Sequence, residues 1–305
     1  MRGFRILMAT KLLNKKYCIY FSIAIAIALL QMRVSFAENL KPLKNSFTFH
    51  KSLHSAKTTQ TPPASSRLKL NPGKHLRLPI LMYHHVGVMP KVKNDRIRED
   101  LTVSPEDFER QIKWLKQEGF ETISLSNFYN YTKGEFVLPK KPVILTFDDG
   151  YDDVFINAVP ILKKYSFMGS FAVITKWPGT ENGTNKYATW DQITEAVKDS
   201  MEIVCHTENH FDGTNRKFDS AFIFQNLTNC KRDIAEHLGT QTNILIYPYG
   251  HYNQFYIEQA KKVGFQLGLT VHPGAEIDLE NLMEMPRVRV HGHEDFEMFK
   301  KLLQH

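Results

Sequence analysis

Along the chain, short apolar runs alternate with longer stretches in which apolar residues recur at helical spacing. The first such run is Leu78-Pro-Ile-Leu-Met-Tyr83, which reads as a strand. Ser104-Pro-Glu-Asp107 then reads as a helix start, with Ser104 as N-cap, proline in the first turn and an acid at the third helical position. Phe108, Ile112 and Leu115 continue it at helical spacing. Residues 121–125 predict a short strand, 143–147 a buried strand, 154–165 a helix that carries Pro160, and 169–175 another strand. Thr189-Trp-Asp-Gln192 repeats the capping pattern before a helix that leads into a strand over 202–205. A long helix over 218–238 is closed by Gly239. A strand over 244–247, a helix over 254–263 closed by Gly264, and strands over 265–270 and 288–290 complete the series. About seven or eight β/α units of this kind predict an α/β fold, a distorted (β/α) barrel with about seven parallel strands.

The first 78 residues break that pattern. Arg2, Arg5, Lys11, Lys15 and Lys16 precede an apolar run over 17–30, and Ser35-Phe-Ala37 has the small-x-small form of a cleavage site. Residues 1–37 are therefore expected to be a signal peptide and the protein exported to the periplasm, cell envelope or exterior; an uncleaved anchor is the alternative, although the run is short of the ~20 residues of a spanning helix. Residues 38–78, rich in Lys, Ser, Thr and Asn around Thr61-Pro-Pro63, read as a basic linker without fixed structure. The folded domain is then expected over 79–305.

Charge follows the same division. Residues 1–78 hold 14 Lys and Arg against 1 acid, net +13, whereas 79–305 hold 25 against 31, net −6. The overall +7 belongs to the leader and tail, so it gives no support to nucleic-acid binding by the folded part, and none is expected. A basic tether could rest on anionic envelope polymer or lipid; a solvated linker is the plainer reading.

Chemistry concentrates where strands end. Residues 143–147 run directly into Asp148-Asp149-Gly150, at the carboxyl edge where parallel sheets bind ligands. Neighbouring residues leaving a strand diverge, so one carboxylate can hold a metal while the other handles a proton. Asp152 or Asp153 is expected to cap the following helix. The next strand ends in Cys205-His-Thr-Glu-Asn-His210, where two imidazoles four residues apart can reach one ion. Two His and one Asp leave open positions for water and substrate, as in catalytic zinc-type sites.

Thr146-Phe-Asp-Asp-Gly150, Cys205-His-Thr-Glu-Asn-His210 and Tyr247-Pro-Tyr-Gly250 together resemble the three motifs of the polysaccharide deacetylases, carbohydrate esterases with a NodB-homology domain. The opening strand at Leu78-Pro-Ile-Leu-Met-Tyr-His-His-Val86 is similar to that of the subgroup that trims poly-N-acetylglucosamine in biofilms. The resemblance implies that Asp149, His206 and His210 hold a divalent metal, Zn2+ first with Co2+, Ni2+ or Mn2+ as alternatives. It implies Asp148 as general base, His84 as general acid and the backbone N–H near Tyr249 as an oxyanion donor. His272 and His291 are rivals for the acid. The third motif lacks the family's arginine, and Arg287 on a later strand is the candidate replacement, a structural salt bridge being the alternative.

The resemblance thus implies a metal-dependent hydrolase removing N-acetyl groups from N-acetylglucosamine units of an exported or cell-wall polysaccharide. A non-catalytic glycan-binding module on the same barrel, or a deacetylase of peptidoglycan or acetylated xylan, are the alternatives. Cys205 and Cys230 are expected as buried free thiols, with a disulfide as the other option. Trp190 and Tyr252 are candidates for stacking on sugar rings, or for packing on the barrel. His85, His237, His251 and His293 are read as surface or packed residues.

Overall fold

The computed structural model describes residues 73–90 and 95–304. The expected signal peptide and all but the last few linker residues lie outside them.

Seven strands form the barrel: β1 (Ile80–Tyr83), β2 (Pro142–Phe147), β3 (Ser170–Val173), β4 (Glu202–Cys205), β5 (Ile244–Ile246), β6 (Leu267–Pro273) and β7 (Met285–Arg289). Each pairs in parallel with its neighbour in sequence, and β7 pairs with β1, so the sheet closes on itself. A closed parallel sheet has no free edge and must be covered on its outer face. The cover comes from α1 (Arg96–Leu101), α2 (Pro105–Gln117), α3 (Leu125–Thr132), α4 (Val159–Lys164), α5 (Trp190–Lys198), α6 (Ser220–Leu238), α7 (Gln254–Val263) and α8 (Phe296–Gln304).

Strand residues alternate between two cores. Leu81, Leu145, Phe171, Ile203 and Leu245 join helix residues such as Phe108, Ile112, Ile223 and Ile257 in the outer layer. Ile80, Ile144, Ala172, Val204, Ile246 and Leu269 join Leu125 and Phe128 of α3 in a second cluster. Fully apolar strands of this kind suit a sheet buried on both faces.

The helix boundaries follow local chemistry. Ser104 caps α2 by accepting from the Asp107 N–H at 3.1 Å, and Thr189 and Gln192 form the capping box of α5. Gly239 and Gly264 end α6 and α7 with φ of 66° and 93°, a left-handed turn that glycine adopts at little cost.

Four expectations need correction. The 121–125 strand is only Glu121–Thr122; Ser124 and Asn127 form a capping box that starts α3 at Leu125. The 154–165 helix is a π-helical turn, Val154–Ala158, that runs directly into α4, with Pro160 next to the wide turn where Val159 N–H already bonds back five residues to Val154. Asp153 makes no capping bond there; its carboxylate instead meets His85 Nδ1 at 2.8 Å and Arg98 at 3.3 Å. The described residues also include the end of the stretch read as linker, and it is structured there: His75–Arg77 is a strand antiparallel to Glu276–Asp278, and Leu78 is buried.

Candidate active site

The carboxyl ends of β2 and β4 and the loop after β5 meet at the barrel mouth. Four of the six non-glycine residues with positive φ among the described residues are here: Asp149 (73°), Thr207 (67°), His210 (57°) and Tyr249 (59°). Left-handed backbone is strained for such residues, and its concentration where chains turn out of the strands marks a place shaped for side-chain placement.

The turn at Asp149 brings its Oδ1 to 3.1 Å from His206 Nε2 and 3.3 Å from His210 Nε2. The His206 Nδ1 sits 2.8 Å from the Ile246 carbonyl oxygen, to which it can donate, leaving Nε2 free to face Asp149. Thr207 Oγ1 accepts from the His210 N–H at 2.9 Å and fixes the turn between the two histidines. Metal–ligand bonds of ~2.0–2.2 Å set neighbouring ligand atoms about 3 Å apart, so this N2O set fits a divalent ion. Burial opposes charge on Asp149, but hydrogen bonds from both imidazoles hold its carboxyl well below the usual range. His206 moves up: burial would lower it, and the Asp149 carboxylate outweighs that.

Asp148, the other half of the pair, faces a different partner. Arg287 on β7 donates from both terminal nitrogens to its two carboxylate oxygens at 2.8 Å each, and also reaches the Thr146 hydroxyl and the Thr270 carbonyl. The guanidinium is fully buried. Such bidentate charge-assisted pairing fixes both position and orientation of a carboxylate. Burial works to raise the Asp148 carboxyl, and Arg287 overrides it, holding the group below its ordinary value.

His84 follows β1 and places Nε2 4.0 Å from Asp148 Oδ2. Burial lowers its pKa, with Asp148 and Asp149 pulling the other way. The two rival histidines point to other partners: His272 is near the Tyr252 hydroxyl at 3.4 Å, and His291 pairs with Asp100 at 2.7 Å. Tyr249 is 57% exposed, with its ring 4.5 Å from that of His210, so its backbone lies beside the cluster.

Aromatic residues that the sequence did not single out wall the site. Trp177 lies 5.6 Å from His210 between ring centroids and 5.0 Å from Tyr187, which stacks on Tyr151. The two aromatics proposed for sugar stacking pack elsewhere: Trp190 lies flat on His237 between α5 and α6, and Tyr252 stacks on Tyr247. Cys205 and Cys230 are joined in a disulfide, against the expectation of free thiols. The reason is visible in α6: Ile223, Leu227, Cys230 and Ile234 form its buried stripe, which carries Cys230 onto the end of β4.

Comparison with known proteins agrees with this architecture. The family profile for polysaccharide deacetylases matches residues 137–268. The Bacillus subtilis (strain 168) protein YxkH, assigned as a polysaccharide deacetylase, is 30% identical over 225 residues, covering 71% of this chain and 72% of that one. The poly-beta-1,6-N-acetyl-D-glucosamine N-deacetylase of Staphylococcus aureus (strain MRSA252) is 27% identical over 253 residues, 78% of this chain and 85% of its own. Among solved structures, the Streptococcus pyogenes deacetylase PplD, in complex with acetate, superposes with a TM-score of 0.67 at 29% identity over 75% of this chain and 99% of that one. With this identity over more than two thirds of both chains, the protein belongs to the polysaccharide deacetylase family of hydrolases.

Proposed function

We propose that the protein is a metal-dependent N-deacetylase acting on N-acetylglucosamine units of an exported or cell-wall polysaccharide, with poly-N-acetylglucosamine as the first candidate polymer. One observation carries the reading: Asp148 is clamped by Arg287 on one side and faces His84 at 4.0 Å on the other, directly beside the Asp149, His206 and His210 cluster. A glycan-holding module has no use for a carboxylate so tightly oriented next to a metal-binding set. The Staphylococcus aureus relative, named for poly-beta-1,6-N-acetyl-D-glucosamine, supports the choice of polymer.

Asp149 Oδ1 and the Nε2 atoms of His206 and His210 would hold a divalent ion, with zinc first among ions that accept this donor set. When bound, the ion acidifies water and polarises the acetyl carbonyl. Asp148 removes the proton of the attacking water; because Arg287 holds its carboxyl low, it stays ionised and available as a base well below neutral pH. Collapse of the tetrahedral adduct breaks the C–N bond, and His84 Nε2 gives its proton to the departing amine. Burial makes that imidazolium a strong donor. The N–H near Tyr249 supports the oxyanion. Acetate and a free amine on the polymer are the products.

The export of the protein, and contact of its basic N-terminal segment with the envelope, belong to the same proposal. The test is acetate release by the metal-loaded protein from N-acetylglucosamine oligomers, peptidoglycan fragments and acetylated xylan. Release from the first, lost in Asp148→Asn, supports the reading; no release from any of them defeats it.

A further inference from the structure

Among the described residues, one other group of side chains has the composition and spacing of the active-site cluster: Asp100, His291 and His293. Asp100 ends near the C-terminus of α1, and the two histidines lie on the turn that leaves β7, so the members are brought together across 191 residues of sequence. Asp100 Oδ1 is 2.7 Å from His291 Nδ1 and 3.2 Å from His293 Nδ1. The second carboxylate oxygen is held by Arg289 at 3.0 Å, which turns Oδ1 toward the imidazoles.

The backbone around this trio is built for close approach. A Cβ on Gly292 would collide with the carbonyl oxygens of Glu99 and Thr102, so only glycine lets the His-Gly-His turn press against the end of α1. The Gly292 N–H donates to the Asp100 carbonyl at 2.8 Å, which locks the turn in register. An ordinary hydrogen-bonded pair needs one imidazole on one carboxylate. Here two rings converge through the same nitrogen on the same oxygen, at separations close to those of ligands sharing an ion.

We propose that Asp100, His291 and His293 form a second metal site, for a first-row divalent ion that favours imidazole, such as zinc, nickel or copper. The ion displaces the two Nδ1 protons and completes its shell with water on the open side, where the His293 side chain is 70% exposed. It ties α1 to the exit of β7, the strand that carries Arg287. This site is separate from the proposed catalytic ion and does not depend on the deacetylase reading.

The experiment titrates chelator-stripped full-length protein with CoCl2, following heat and visible absorption. Two equivalents are expected for the wild type and one for His293→Ala, whose side chain is 70% exposed. His206→Ala should also bind one equivalent, the one that His293→Ala loses. Acetate release by His293→Ala loaded with one equivalent should match the wild type. A single equivalent on the wild type, two on His293→Ala, or none on His206→Ala would overturn the proposal. Failure of the catalytic reading would appear instead as absent turnover with two ions bound.

Discussion

In the barrel mouth, Asp149 and His206 are almost fully enclosed, and the Asp149 carboxylate faces both imidazoles of the cluster. On the rim, Asp100 shares its charge with Arg289, and one of its two histidines stands in water. The same three residue types therefore face opposite demands. A buried carboxylate among imidazoles is costly unless a cation satisfies it, so the mouth is set for tight binding. The rim can settle its charges with Arg289 and solvent, so an ion held there would be exchangeable. β7 reproduces the contrast with its own two arginines: Arg287 is sealed against Asp148, and Arg289 is a third exposed against Asp100.

Substitutions put this contrast to the test. The largest effect is expected at Asp148: Asp148→Asn should lower kcat for acetate release by about 10²–10⁴-fold with metal content unchanged, because a positioned base is lost and the ion's ligands are not. Retained activity would move the base elsewhere.

Next comes the pair of arginines. Arg287→Met leaves a buried carboxylate unpaired and should cost about 3–5 kcal/mol in urea denaturation, whereas Arg289→Met should cost about 0–1 kcal/mol. Equal costs would erase the distinction. The pH dependence has a definite sign. Arg287 holds the Asp148 carboxyl below its unfolded-state value against the effect of burial, so its contribution to stability is complete above the unfolded pKa and disappears as pH falls through the folded one. Without Arg287, burial is opposed only by His84 and His206, and the acidic limb of kcat/KM moves to higher pH.

The disulfide is third. Cys205 and Cys230 are 25 residues apart, and closing a loop of that size is worth about 3 kcal/mol. Cys230→Ser should lower stability by that order and weaken metal binding at His206, which follows Cys205 directly, while leaving the rim site alone. A melt of reduced protein checks it. The smallest effect is His293→Ala on kcat at saturating metal, within about twofold by the usual weight of an exposed side chain.

Local chemistry was readable from the sequence; distant partnership was not. The Ser104 and Thr189 caps and the glycines after α6 and α7 state their roles within four residues, and the structure has them as expected. The closed barrel also followed from the β/α alternation. Arg287 could be named only as a candidate, because its tie to Asp148 exists only once β7 lies beside β1 and β1 beside β2. The start of α3 was missed because Ile123 and Leu125 continue an apolar alternation, although Ser124 and Asn127 carried the capping signal. The spacing of Ile223, Leu227, Cys230 and Ile234 puts Cys230 on the buried face of α6, but nothing local pairs it with Cys205. Nothing local joins Asp100 to His291, or Trp177 to His210.

Ring closure through β7 and β1 has a consequence for biogenesis. The first and last staves of the barrel each deliver one neighbour of Asp148, His84 from one and Arg287 from the other. A nascent chain that has emerged only as far as β6 holds the segments of Asp149, His206 and His210 but neither a sealed ring nor Arg287 to pair with Asp148. The set around Asp148 is therefore complete only when the final strand closes the ring.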